Sequence, residues 1–359
     1  LKPPWLRSLT PSSTNEAMRS SAPLAVPLLL LARVAGAARV SLAKRNLVVE
    51  RDVPPAGGPA SAAAGAEEGA LWYPFRQGGD RPRSASPSSL LQSPRQALCR
   101  QETPLLGTMK SPAKLGMVLD AAEKLLTAQV PGAFVEAGVA EGGGILPVVF
   151  YLACTGALGQ RGVFLFDTWE GLPPPKNEAD TGFTTGAYHV GFQAFLRNVQ
   201  RFAAAYGELR SKGLVTEGQP PQPSWEEAWR HVKIVKGLFA DTMEGSLKGA
   251  QVALLQCDGD MYGSTRDCLK AGAKHVVRGG AVYNDDYYTF SGCYEAVQEY
   301  MAAEAAKGHA LAMQLVSEDG SLRTAEAAAS CTPPTSNSGA NTGQCNGLKV
   351  EAGLFYVQG

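Results

Sequence analysis

Carboxylates recur where apolar runs end. Glu136 follows AFV, Asp167 follows VFLF, Asp258 follows VALLQC, and Asp285 and Asp286 follow AVYN. In an open α/β sheet, ligands sit beyond the carboxyl ends of the strands. One acid at a strand end can cap the following helix; four such ends converging on one edge point to a ligand site. The blocks 257-CDGDMYGST-265 and 283-YNDDYY-288 concentrate this charge. Asp258 and Asp260 flank Gly259, so their side chains need not point together. Asp258 on one strand and Asp285 and Asp286 on the next can offer three oxygens to one hard cation, and Mg²⁺, Ca²⁺ or Mn²⁺ suits such ligation. Without a cation these acids repel one another and some pKa values rise. The bland alternative is a solvated acidic loop.

The turn 136-EAGVAEGGG-144 carries Gly138, Gly142, Gly143 and Gly144. Glycines there allow a tight turn and close approach of backbone to a ligand. The turn has neither the GK[ST] of a triphosphate cradle nor the GxGxxG spacing. Alone it fits a ligand loop or a simple turn equally. Asp167, ending the next strand, is placed to accept from both hydroxyls of a ribose diol. Together they suggest a nucleoside ligand with no need for a pyrophosphate.

These acids need strands and helices to hold them, and the sequence supplies both from about residue 105 onward. Leu115, Val118, Leu119, Ala122, Leu125 and Leu126 recur at helical spacing. Strands are expected at 133–137, 163–167, 232–237, 252–258, 280–285, 309–316 and 353–357, with helices at 145–153, 191–206, from 264, and at 293–306. Repeated alternation of helices with apolar strands predicts an open, mostly parallel α/β sheet with helices on both faces. Residues 1–100 contain runs such as 54-PPAGGPASAAAGAEEG-69 and are expected to be a disordered extension; 101–359 form the folded domain, with a low-complexity surface insertion at 325–348.

Lys+Arg and Asp+Glu balance at 33 each, so no global positive field recommends a nucleic-acid partner. No apolar stretch reaches the ~18–20 residues that span a bilayer. Seven cysteines with no CxxC pair read as reduced thiols rather than a disulfide scaffold or zinc site, and the four histidines (189, 231, 275, 309) are scattered. From Met18 the chain carries an apolar stretch after Arg19 and no acid before Glu50. That suits a secretory signal or a chloroplast or mitochondrial transit peptide; without targeting the location is cytoplasmic.

The order EAGVxxGG, FDTWEGLP, VKGLFADT, DGDMYGST, NDDYY resembles the macrocin O-methyltransferase family, from Thr108–Met109 to strand 309–316 and the closing strand. The resemblance implies a Rossmann-like class I S-adenosylmethionine-dependent methyltransferase with a seven-stranded sheet. It also implies an enzyme that uses Mg²⁺ (or Mn²⁺) to methylate a hydroxyl of a small molecule, a sugar by family habit. By resemblance Asp258, Asp285 and Asp286 are the metal ligands and Asp260 the general base. Thr108, Met109, Glu136, Gly138, Gly142 and Asp167 belong to the cofactor site, as does Asp241, for which a helix N-cap is an equal reading. The chain departs from the family in its N-terminal extension, in 208–231 beside an expected lid at 172–192, and in 320–350, which looks peripheral. Within the lid, Tyr188 and His189 could meet substrate; Trp169 and Tyr262 could line the cleft, while Trp225 and Trp229 read as packing. The alternatives are a glycosyltransferase using Asp258-Gly259-Asp260 as a DxD motif, or a methyltransferase fold that binds without catalysis. Self-association is open.

Overall fold

The computed structural model describes residues 47–48, 93–106, 108–214, 223–324 and 331–358. Its strands are β1 (Leu47–Val48), β2 (Ala133–Ala137), β3 (Val163–Asp167), β4 (Val232–Lys236), β5 (Val252–Cys257), β6 (Val276–Asn284), β7 (Met313–Ser317), β8 (Leu322–Thr324), β9 (Cys331–Thr332), β10 (Gln344–Cys345) and β11 (Leu348–Tyr356). Its helices are α1 (Pro94–Glu102), α2 (Pro112–Thr127), α3 (Leu146–Thr155), α4 (Phe192–Ser211), α5 (Trp225–Trp229), α6 (Phe239–Leu247), α7 (Tyr262–Gly272) and α8 (Ser291–Ala306).

The central strands run in the order β4-β3-β2-β5-β6-β11-β7, with β1 beside β4 and β8 beside β7. All neighbours from β1 to β6 pair in parallel; among the seven central strands only β11 reverses, antiparallel to both β6 and β7, and the outer β8, β9 and β10 also pair antiparallel. This is the mostly parallel seven-stranded core expected, with helices on both faces. The chain leaves β2 toward β3 on one side and returns to β5 on the other, so the order reverses between β2 and β5. Such a switch point opens a crevice at the carboxyl ends of these strands.

Alternation along each strand builds two cores. Phe134, Leu165, Ile234 and Leu254 pack with Val118, Leu125, Phe150 and Phe202 on one face. Val135, Phe166, Val235 and Leu255 pack with Met243, Cys268 and Val297 on the other. Helix α3 is buried from Leu146 to Cys154 and ends at Gly156 in the left-handed conformation. Helix α2 starts at Ser111, whose side chain accepts from the Lys114 amide, with Pro112 in the first turn.

Three expectations are corrected. The extension is not wholly unstructured up to residue 100. Leu47–Val48 pairs with β4, and α1 is a capped helix with a Ser93–Gln96 capping box. The stretch from Met18 lies outside the described residues. Six of the seven cysteines are not reduced thiols. Cys99–Cys154 joins α1 to α3, Cys257–Cys268 joins β5 to α7, Cys331–Cys345 joins β9 to β10, and Cys293 remains free and buried. Packing of separate elements brings these thiols together, which spacing alone does not reveal. Of the two later insertions, the last is not peripheral. Tyr206 lies tilted against Trp225 and Trp225 stacks on Trp229, with centroids 5.7 and 5.8 Å apart, which fastens α5 to α4. The segment 331–347 instead reaches the crevice, where Gly339 and Thr342 form part of its wall.

Candidate active site

The loop leaving β2 is shaped by what lies against it. Gly138 has φ +96°, and a Cβ there would stand 1.5 Å from the Asp258 carbonyl oxygen, so only glycine lets the loop cross the end of β5. A Cβ at Gly143 would strike Thr108, and one at Gly144 would lie 2.2 Å from Glu136 Oε1. Asp167 locks this loop. Its Oδ2 accepts from the amides of Val139 (2.7 Å) and Ala140 (2.8 Å), and its Oδ1 from the Trp169 amide (2.6 Å). The Trp169 indole donates to the Ala140 carbonyl at 2.9 Å.

Beyond the loop lies a cavity of about 370 Å³, a size suited to a small organic ligand. Its lining includes Ala140, Asp167, Leu238 and Phe239, the acidic group Asp258, Asp260, Asp285 and Asp286, called its floor below, and Tyr188, Phe290, Thr289, Thr342 and Glu351. A narrower pocket continues between Thr108, Met109, Glu136, Gly143 and Gly144. Glu136 is 1% exposed and neither carboxylate oxygen has a hydrogen-bond partner. An orphaned carboxylate inside a glycine-lined pocket fits a ligand's ammonium group.

The acids on the floor are threaded by two buried lysines. Lys110 Nζ contacts Asp258 Oδ2, lies 2.9 Å from Asp285 Oδ1 and 3.6 Å from Glu136 Oε1. Lys114 Nζ bridges Asp285 Oδ2 (2.8 Å) and Asp286 Oδ1 (2.9 Å). The Tyr283 hydroxyl donates to Asp285 at 2.6 Å. Asp285 is therefore held by both ammoniums, and among the described residues oxygens of Asp258, Asp260 and Asp286 are the three that lie within 4.8 Å of one another. Asp260 reaches this cluster because its backbone takes φ +58°, a left-handed conformation that aspartate tolerates better than most residues.

Electrostatics follow from that crowding. Burial, then the Asp285 charge, push Asp258 up to about 7 against the pull of Lys110. Burial and the neighbouring Asp286 and Asp258 raise Asp260 well above the usual carboxylate range. Burial pushes Glu136 up to about 8, despite Lys110. Asp285 goes the other way. Burial opposes its charge, but Lys110 and Lys114 outweigh burial and hold it low. The Lys110 ammonium is disfavoured by burial but driven up by Asp258, Asp285 and Glu136. Two ammoniums cannot neutralise five carboxyl groups, so some of the acids hold protons instead, and a divalent cation suits the place of those protons.

Residues 80–212 and 226–314 match the Macrocin-O-methyltransferase (TylF) family. The chain belongs to that family. It is 28% identical over 181 residues to the 8-demethyl-8-(2,3-dimethoxy-alpha-L-rhamnosyl)-tetracenomycin-C 4'-O-methyltransferase of Streptomyces olivaceus, covering 50% of this chain and 61% of that one. It is 29% identical over 206 residues to the mycinamicin III 3''-O-methyltransferase of Micromonospora griseorubida, covering 54% and 69%. The O-methyltransferase NovP superposes with a TM-score of 0.47 at 21% identity, over 74% of this chain and 89% of that one.

In this macrocin O-methyltransferase family member, the structure brings Thr108, Met109, Glu136, Gly138, Asp167 and the four floor aspartates to one crevice. It does not bring Gly142, which turns the chain with φ +86° and accepts the Leu146 amide at the start of α3. Nor does it bring Asp241, which lies exposed in the first turn of α6, where its charge suits the helix dipole. Leu238 and Phe239 from the same block line the cavity instead. Tyr188 and Trp169 line it as expected; His189 and Tyr262 do not. Lys110 and Lys114 were not singled out from sequence: Lys110 precedes the N-cap Ser111 and Lys114 lies in the first turn of α2, so no helical spacing relates them.

Proposed function

We propose that this protein is an S-adenosylmethionine- and Mg²⁺-dependent O-methyltransferase acting on a hydroxyl of a sugar or glycosylated small molecule. The observation that carries the reading is the junction, at one switch point, of an orphaned Glu136 in a glycine-lined pocket with the acidic floor of a ligand-sized cavity. Glu136, Gly138, Gly143, Gly144, Thr108 and Met109 would hold the amino-acid end of the cofactor, and Asp167, Leu238 and Phe239 its nucleoside end. Asp258, Asp285 and Asp286 would hold the cation, as family resemblance implies, with Mn²⁺ an able substitute. The cofactor supplies an electrophilic methyl on sulfonium, and the cation supplies a charge that lowers the pKa of a bound hydroxyl.

The chain's own residues do the rest. Asp260, beside two of the carboxylates assigned to the cation, takes the acceptor's proton as the hydroxyl oxygen becomes nucleophilic. Ser111, Thr289, Thr342 and Glu351 offer polar contacts, and Tyr188 and Phe290 apolar ones, on the acceptor side. That mixture suits a sugar, with hydroxyl edges and apolar ring faces. The named relatives act on sugar-bearing natural products, which supports the same class here. Three cystines favour an oxidising compartment, in line with a secretory destination.

Calorimetric titration of the full chain with S-adenosylhomocysteine tests the reading, and micromolar binding is expected. No binding by folded protein, with binding of a uridine diphosphate sugar in Mn²⁺, would overturn it in favour of the DxD alternative.

A further inference from the structure

Lys110 stands where a second cation would have to go. Its ammonium joins Asp258 and Asp285, two of the three carboxylates assigned above to the divalent ion. It is 4% exposed and comes not from within a helix but from the segment just ahead of α2. Its backbone is pinned there, its amide donating to Thr108 Oγ1 at 3.1 Å. An ammonium and a divalent cation in contact with the same oxygens repel strongly in a buried site.

The lysine also has another acceptor within reach. Glu136 Oε1 lies 3.6 Å from Nζ, and both oxygens of that carboxylate lack a hydrogen-bond partner. A small swing of the side chain exchanges Asp258 and Asp285 for Glu136 without sending the charge to solvent. Lys114 also contacts two of the assigned ligands, Asp285 and Asp286, but among the described residues only Lys110 has a further carboxylate, Glu136, within 4.0 Å to receive it.

We infer that Lys110 is the resident counter-cation of the acidic floor, and that a divalent cation loads by displacing its ammonium from Asp258 and Asp285 toward Glu136. The inference rests on the metal reading above. It makes Lys110 a positioning residue that keeps the acids together when no metal is bound, weakens metal affinity, and links metal loading to the cofactor pocket through Glu136.

Binding of Mn²⁺ to the full-length protein, followed by the paramagnetic resonance of the free ion, tests this without reference to turnover. Lys110→Met and Lys110→Gln should each bind Mn²⁺ at least about tenfold tighter than wild type, because the competing charge is gone. Lys110→Arg, which keeps the charge, should bind no tighter than wild type. Thermal unfolding with and without Mn²⁺ establishes that each variant is folded, and a lysine with only a structural role would lower stability without tightening Mn²⁺. Equal or weaker Mn²⁺ binding by the folded neutral variants, or tighter binding by Lys110→Arg, overturns the displacement while leaving the cation site intact. Absence of Mn²⁺ binding from wild type and every variant at millimolar ion overturns both this inference and the metal reading.

Discussion

At Asp260 the backbone accepts a left-handed φ of 58° so that its carboxylate joins those of Asp258 and Asp286. Ala140, Trp169 and Tyr188 also have positive φ and also line the cavity, and strain gathered at one site is characteristic of function. Replacing the assigned base by Asp260→Asn should lower kcat roughly 10²–10⁴-fold while calorimetry shows S-adenosylhomocysteine affinity nearly unchanged. Wild-type turnover by that variant would remove Asp260 from the mechanism. Glu136 yields a second prediction. Its folded pKa, about 8, lies above the ordinary 4.5, so the folded state binds the proton more tightly than the unfolded chain. Stability of the cofactor-free protein must then fall as pH rises from about 5 to 8, and Asp258, pushed up to about 7, acts in the same sense. Glu136→Gln should flatten that slope and raise the melting temperature at pH 8 by about 4 °C or more, while weakening cofactor binding. Among these groups, the strand-end acids were legible in sequence because an acid after an apolar run is a local pattern. Lys110 and Lys114 were not, because their importance depends on which strand ends α2 approaches.

Elements were legible wherever periodicity was strong. Strands β2 and β3 form at 133–137 and 163–167 as read, and helices α2, α3, α4, α7 and α8 form within a few residues of their expected limits. Helix α1 escaped notice because its nine residues bury little more than Cys99, leaving a weak apolar stripe. The loop at 172–191 and the segment 331–347 could not be joined by sequence at all. Asn337 joins them. Its amide donates to the carbonyls of Ala179 (2.5 Å) and Thr181 (2.9 Å), and its oxygen accepts from the Gly292 amide (2.9 Å) and the Ser291 hydroxyl (3.2 Å). Phe183 on the same loop packs edge-on against Phe290 at 5.1 Å. A substitution Asn337→Ala should release the loop, seen as hydrogen exchange across 177–183 at least about tenfold faster, with the exchange of β2 and β5 unchanged. Unaltered exchange over 177–183 would mean that Phe183 and Asp180, whose carboxylate accepts the Tyr262 amide at 2.7 Å, suffice to hold it.

Across the whole molecule, three cystines fasten units that the sheet alone leaves independent. Cys99–Cys154 closes the longest separation, 55 residues, and anchors α1 to the core. Alkylation of unfolded, unreduced protein should modify one thiol, Cys293, and all seven after reduction; labelling of more than one without reductant would refute the pairing. Cys154→Ser should cost about 2–4 kcal/mol in denaturant unfolding. Within the described residues no helix is long and apolar enough to cross a membrane. By itself the sequence determined the alternation of strand and helix, the acid at each of four strand ends and the glycine turn, because each is written in neighbouring residues through period, apolarity and backbone freedom. Only the tertiary structure decided the cystine pairs, the two lysines among the carboxylates and which insertion walls the cavity. Those depend on distances between segments far apart in the chain, which are settled when the two faces of the sheet are packed.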